Sequence, residues 1–133
     1  MKRFEIPGVP ADAEPIDFEV VGHTQVMTEQ LDEQGEHAKP QPFTEKFRAL
    51  PLVPAGALID LVSMIRYDEQ GNRQIQGQAV IRYMVAALEP LDAARFIELI
   101  NDPVRVVPLE TLAEIAMWLS EEQSGHPTEP SST

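Results

Sequence analysis

The apolar and polar positions divide the chain near residue 54. Before it, two stretches alternate at period two, the spacing that sends successive side chains to opposite faces of a strand. The first is Ile16-Asp17-Phe18-Glu19-Val20, and Gly22 follows it as a turn signal. The second lies over 43–50, where Phe43, Phe47 and Ala49 share one face and Glu45 interrupts it. Pairing 16–21 with 43–50 predicts an antiparallel hairpin. Two strands alone are marginal in water, so helices must cover one face. The residues between, 24–42, are polar, rich in Gln and Glu, and closed by Pro40 and Pro42. They are expected to form a long loop, with a further short strand near 24–27.

After residue 54 the period changes to that of helices. Leu58, Leu61, Val62 and Ile65 stand at i, i+3, i+4 and i+7, an apolar stripe that predicts a helix over 54–66. Pro54 is tolerated in its first turn, where the missing N–H has no helical partner. Asp68-Glu69-Gln70-Gly71-Asn72 reads as a turn. A second helix is expected over 74–88. Beyond Ala79 it is apolar nearly all round, which predicts a central place in the core. Pro90 opens a third helix, over 90–101, with Asp92 where the helix dipole favours negative charge. Phe96, Leu99 and Ile100 form its inner stripe. Asp102-Pro103 ends it, because the residue before a proline avoids the helical region. The fourth helix runs over 108–123 on the stripe Leu112, Ile115, Ala116 and Leu119, and Ser124-Gly125 marks its stop.

The expected fold class is therefore mostly α (α+β): a small N-terminal antiparallel β-hairpin followed by a four-helix domain. Residues 1–15, with Pro7, Gly8, Pro10 and Pro15, read as an irregular leader. Residues 16–125 make one domain, and 126–133 read as a disordered Pro/Ser/Thr tail. A chain of 133 residues can bury a core without help from metals or cross-links. It has no cysteine, so disulfides and thiolate zinc sites are excluded. The start carries Lys2 and Arg3 but no apolar run, so no signal peptide is expected. The longest nearly apolar stretch, 79–88, contains Arg82 and is too short to span a bilayer.

Charge narrows the choice of partners. The formal net charge is −12. Such a surface repels phosphate, which disfavours nucleic acid and anionic membranes; it favours solubility. Catalytic constellations are scarce. His23, His37 and His126 fall in expected loops without metal-ligand spacing. Ser63, Ser120 and Ser124 lack a nucleophile-elbow setting, and Gly71 and Gly77 form no phosphate-binding loop. The acidic pairs Glu110/Glu114 and Glu121/Glu122 suit a solvated helix face better than acid–base work. The expectation is no enzyme, no metal and no cofactor. Two residues stand out as candidates for partner binding. Arg82 breaks the apolar second helix: it either recognises a partner, or snorkels to the rim or pairs with an acidic residue. Trp118, the one tryptophan, sits beside the inner stripe of the fourth helix. It either packs in the core or serves as an interface anchor.

Four ordered segments carry a resemblance. They are Phe47-Arg48-Ala49-Leu50-Pro51 with Val53-Pro54-Ala55-Gly56-Ala57-Leu58-Ile59-Asp60-Leu61; Ile81-Arg82-Tyr83-Met84 with Leu88; Ala93-Ala94-Arg95-Phe96 continuing to Leu99-Ile100-Asn101-Asp102-Pro103; and Val107-Pro108-Leu109-Glu110-Thr111-Leu112-Ala113-Glu114-Ile115 with Trp118, closing on Ser124-Gly125-His126-Pro127-Thr128-Glu129-Pro130. Each alone is a helix pattern; the ordered set is more specific. From about residue 16 to the C-terminus the chain resembles the tail assembly chaperones of long-tailed actinobacteriophages. The polar insert at 28–42 departs from shorter relatives, which turn directly. The resemblance implies a protein that binds the tape measure protein in the host cytoplasm, supports tail-tube assembly around it, and is absent from the mature virion. Further partners implied are the tail-tube protein and a longer frameshifted form that would diverge near 127–133; a homo-oligomer is left open by the sequence. The alternative is a structural virion protein of the tail or head–tail connector. High helix content favours the chaperone, because tube subunits are expected to be β-rich.

Overall fold

The computed structural model describes residues 1–6, 13–26 and 39–124. The expected tail at 126–133, His37, His126, residues 7–12 of the leader and most of the polar insert lie outside them. Strand β1 (Ile16–His23) pairs antiparallel with β2 (Pro42–Ala49), placing Ile16 against Ala49 and His23 against Pro42. The pairing is the one expected. Strand β1 runs further than its alternation indicates, so His23 ends a strand and does not sit in a loop. Residues 24–26 leave the strand instead of forming another. Gln25 turns aside there, its backbone N–H donating to Val104 O at 2.8 Å and its Nε2 to Pro103 O.

Helix α1 (Ala55–Ser63) starts behind Pro54 as N-cap and stops three residues before the sequence pattern does. The chain then forms a hairpin that the pattern hides: β3 (Ile65–Tyr67) pairs with β4 (Arg73–Ile75). The anticipated turn joins them. Asp68 Oδ1 accepts the N–H groups of Gln70 and Asn72, and Gly71 takes φ +82°, where a Cβ is disfavoured. The residues read as the end of one helix and the start of the next are thus strands. Three-residue strands are too short for alternation to reveal.

Helix α2 (Gly77–Ala87) packs against α1, against α3 (Pro90–Ile100) and against α4 (Leu109–Ser124). Its central place was expected; burial all round was not found. Ala79, Val80, Tyr83, Met84 and Ala87 are buried, while Ile81, Arg82 and Val85 face outward. Only one stripe of an exposed helix can meet a neighbour.

The inner face of the β1–β2 hairpin supplies Val20, Phe47 and Ala49 to the core, with Phe18 and Phe43 packed at its margin. Phe96 of α3 meets the Phe47 ring at a centroid distance of 5.3 Å, nearly edge-on. The outer edge of β2 is closed by α3. Glu89 N–H donates to Arg48 O, Asp92 accepts the N–H of Arg48, and Arg95 donates to Lys46 O. A bridge between Ala49 and Leu88 extends this seam.

Candidate partner-binding surface

Arg82 projects from α2 toward α1, where its guanidinium meets Asp60 at 3.3 Å. Both side chains are about half exposed. Of the two readings of Arg82, the geometry gives the paired one: it ties α2 to α1 at the surface. An exposed pair of this kind contributes about 0–1 kcal/mol, so it adds more to register than to stability. Each partner has apolar neighbours on its own helix that face solvent. Ile59 and Val62 of α1 are 66% and 56% exposed, and Ile81 and Val85 of α2 are partly uncovered as well. The two helices pack on each other, and the ion pair joins them at the surface.

Trp118 lies on α4, with its ring 6.0 Å from Phe18 in an edge arrangement and 40% of its surface exposed. It is neither buried core nor free anchor. It ends an aromatic row that runs from Phe96 through Phe47 and Phe18. No hydrogen bond, ring contact or cation–π contact joins Trp118 to Arg82 among the described residues: Trp118 meets Phe18 and Arg82 meets Asp60.

Sequence reasoning missed two polar clusters that hold these surfaces in place. In the first, buried Tyr83 donates its hydroxyl to Gln123 Oε1, and Gln123 Nε2 donates to Leu50 O (2.8 Å) and Ala87 O (3.2 Å). Burial raises the pKa of Tyr83 well above its usual value, which keeps the phenol neutral as a donor. A glutamine near the end of an amphipathic helix gives no sequence signal for such a role. In the second, Glu45, the residue that interrupts the β2 face, is bound by Arg95 at 2.9 Å and by Arg105. Arg95 also reaches Asp92 (3.2 Å) and stacks on the Phe47 ring, 4.9 Å from its centroid. Arg105 also holds Asp102 (2.7 Å). The bond from Arg105, then the N–H of Val104, holds the Asp102 carboxyl below the usual range. These carboxylates and guanidiniums clamp β2 to α3 and to the loop after it.

A shallow cleft of about 460 Å³ lies at the sheet, lined by Asp17, Phe18, Glu19, Lys46, Phe47, Arg48 and Asp92. Its wall contains the Arg48–Asp17 pair at 2.8 Å, which lowers the Asp17 pKa. Among the described residues no set of three His, Asp or Glu side chains converges as metal ligands, and no helix is long and apolar enough to cross a membrane. Ser120 donates to Met117 O within its own helix, and Ser63 to Asp60 O. No protein-family model, curated protein or solved structure matches the chain.

Proposed function

We propose that the chain is a non-catalytic tail assembly chaperone. In the host cytoplasm it would hold the tape measure protein of a long-tailed phage, support tube assembly, and leave before the virion matures. The observation that carries this reading is that the paired helices α1 and α2, joined by the Arg82–Asp60 pair, leave Ile59, Val62, Ile81 and Val85 exposed. An amphipathic client helix can bury its own stripe there, with affinity drawn from apolar area and specificity from the polar rim. The ordered resemblance supports the reading, since its four segments fall on β2 with α1, on α2, on α3 and on α4 in turn. The acidic surface would keep such a complex soluble.

Co-expression with the tape measure protein of the same phage tests it. The expected result is a soluble complex, with no copies of this chain in washed virions. Ile59→Asp combined with Val85→Asp should weaken that complex about tenfold or more, roughly 1.4 kcal/mol. The melting temperature should change little, because both side chains face solvent. Stoichiometric recovery of the chain from washed virions would instead establish a structural tail or connector protein.

A further inference from the structure

The two edges of the β1–β2 sheet differ. The outer edge of β2 is closed by α3. In β1 the hydrogen-bonding phase follows from two facts. Thr24 N–H donates to Gln41 O, and in the same register the even residues of β1 face odd residues of β2. Of the even residues of β2, Lys46 spends its carbonyl, and Arg48 both its N–H and its carbonyl, on α3 and its N-cap. The backbone groups of Asp17, Glu19, Val21 and His23 therefore point away from β2. Among the described residues nothing pairs with them. Such an open row of donors and acceptors is a template for another strand, and natural proteins blunt it with lysines, prolines or bulges. The eight residues of β1 contain no lysine and no proline, and pair with β2 without a bulge.

The side chains on the outward face are Asp17, Glu19, Val21 and His23. Asp17 is already held by Arg48. Val21 is the odd member, apolar and 64% exposed, with Thr44 as its neighbour on β2. From this pattern we infer that β1 pairs antiparallel with β1 of a second copy, with Val21 on the two-fold axis. That register sets Val21 against Val21 and Glu19 against His23, an imidazole able to donate to the carboxylate. It uses only outward-pointing backbone groups, and each directly opposed pair exchanges two N–H···O bonds. Sliding one way sets Glu19 against Glu19, and like charges directly opposite are unfavourable. A shorter slide the same way leaves Glu19 against Val21 and spends His23 on Asp17, whose charge Arg48 already meets; sliding the other way sets His23 against Val21 and takes Glu19 past the end of the partner strand. The result is a four-stranded sheet shared by two hairpins and closed by symmetry, in which the outward backbone groups of Glu19, Val21 and His23 are paired.

The chain has no cysteine, so single cysteines report the register directly. Directly opposed hydrogen-bonded residues have Cα atoms about 5.5 Å apart, within disulfide range. Val21→Cys should give a covalent dimer under mild oxidation, while Glu19→Cys and His23→Cys alone should not. Analytical ultracentrifugation of the wild type should show a monomer–dimer equilibrium. Val21→Pro should abolish the dimer with an unchanged circular dichroism spectrum, because that N–H has no partner within the monomer and an edge tolerates proline. A wild type that stays monomeric from micromolar to millimolar concentration overturns the inference. So does cross-linking through residue 19 or 23 in preference to 21, and so does a dimer that survives Val21→Pro.

Discussion

Gln123 lies one residue before the end of α4, yet its side chain meets three groups: Tyr83 of α2, the carbonyl of Ala87 at the end of that helix, and that of Leu50 after β2. A buried carboxamide is stable only when its donors and acceptor are met, and here they are. Tyr83→Phe would leave the Gln123 oxygen without that donor, an expected cost of about 1–3 kcal/mol. Tyr83→Ala would also open a cavity and should cost about 3–5 kcal/mol, like Phe96→Ala. Chemical denaturation of the variants checks this order. Equal costs for Tyr83→Phe and Tyr83→Ala would mean that the hydroxyl, not the ring, carries the contribution.

Among the secondary-structure elements, the β3–β4 hairpin replaces what the apolar spacing reads as helix ends. Its turn depends on Gly71, whose backbone is left-handed and where an added Cβ would meet nothing within 4 Å. Space is therefore not the constraint; backbone conformation is. Gly71→Ala should destabilise by about 1–2 kcal/mol, the cost of a Cβ in that region, and Gly71→Asn by less. The denaturation midpoint measures both, and an alanine variant as stable as the wild type would show that the turn can rearrange. The same spacing rule that hides this hairpin locates α3 and α4 to within a residue or two, because those helices bury one continuous stripe each.

Across the molecule, charge acts in two opposed ways as pH falls. A net charge of −12 is relieved by protonation toward the pI near 4.5, which favours the compact state. Asp17, Asp68 and Asp102 have folded pKa values below their ordinary 3.8, by bonds from Arg48, from Asn72 and from Arg105 respectively. A depressed folded pKa gives stability that is full above 3.8 and lost as pH falls through the folded value. The melting temperature should therefore rise gently from neutral pH to about the pI and fall below 3.8. Asp102→Asn should flatten that acid limb, since it removes one of the groups that must be protonated. An acid limb of the same steepness in the variant would place the linkage elsewhere.

Patterning among neighbouring residues is enough to dictate the order of the first hairpin and the four helices, the antiparallel pairing of 16–21 with 43–50, and the aromatic and aliphatic core. Alternation and helical stripes record which side of each element must leave water, and they do so locally. The same patterning marks Glu45 as an anomaly on an inner face and Arg82 as an anomaly on an apolar helix. How each anomaly is met depends on the folded chain: Glu45 is met by Arg95 and Arg105, far away in the chain, and Arg82 by Asp60. Folding also settles which edge of the sheet is covered, that Trp118 ends an aromatic row, and that α2 leaves Ile81 and Val85 in water. The reason is physical. Burial periodicity is written in neighbouring residues, whereas charge pairing, edge protection and exposure depend on which distant segment arrives alongside.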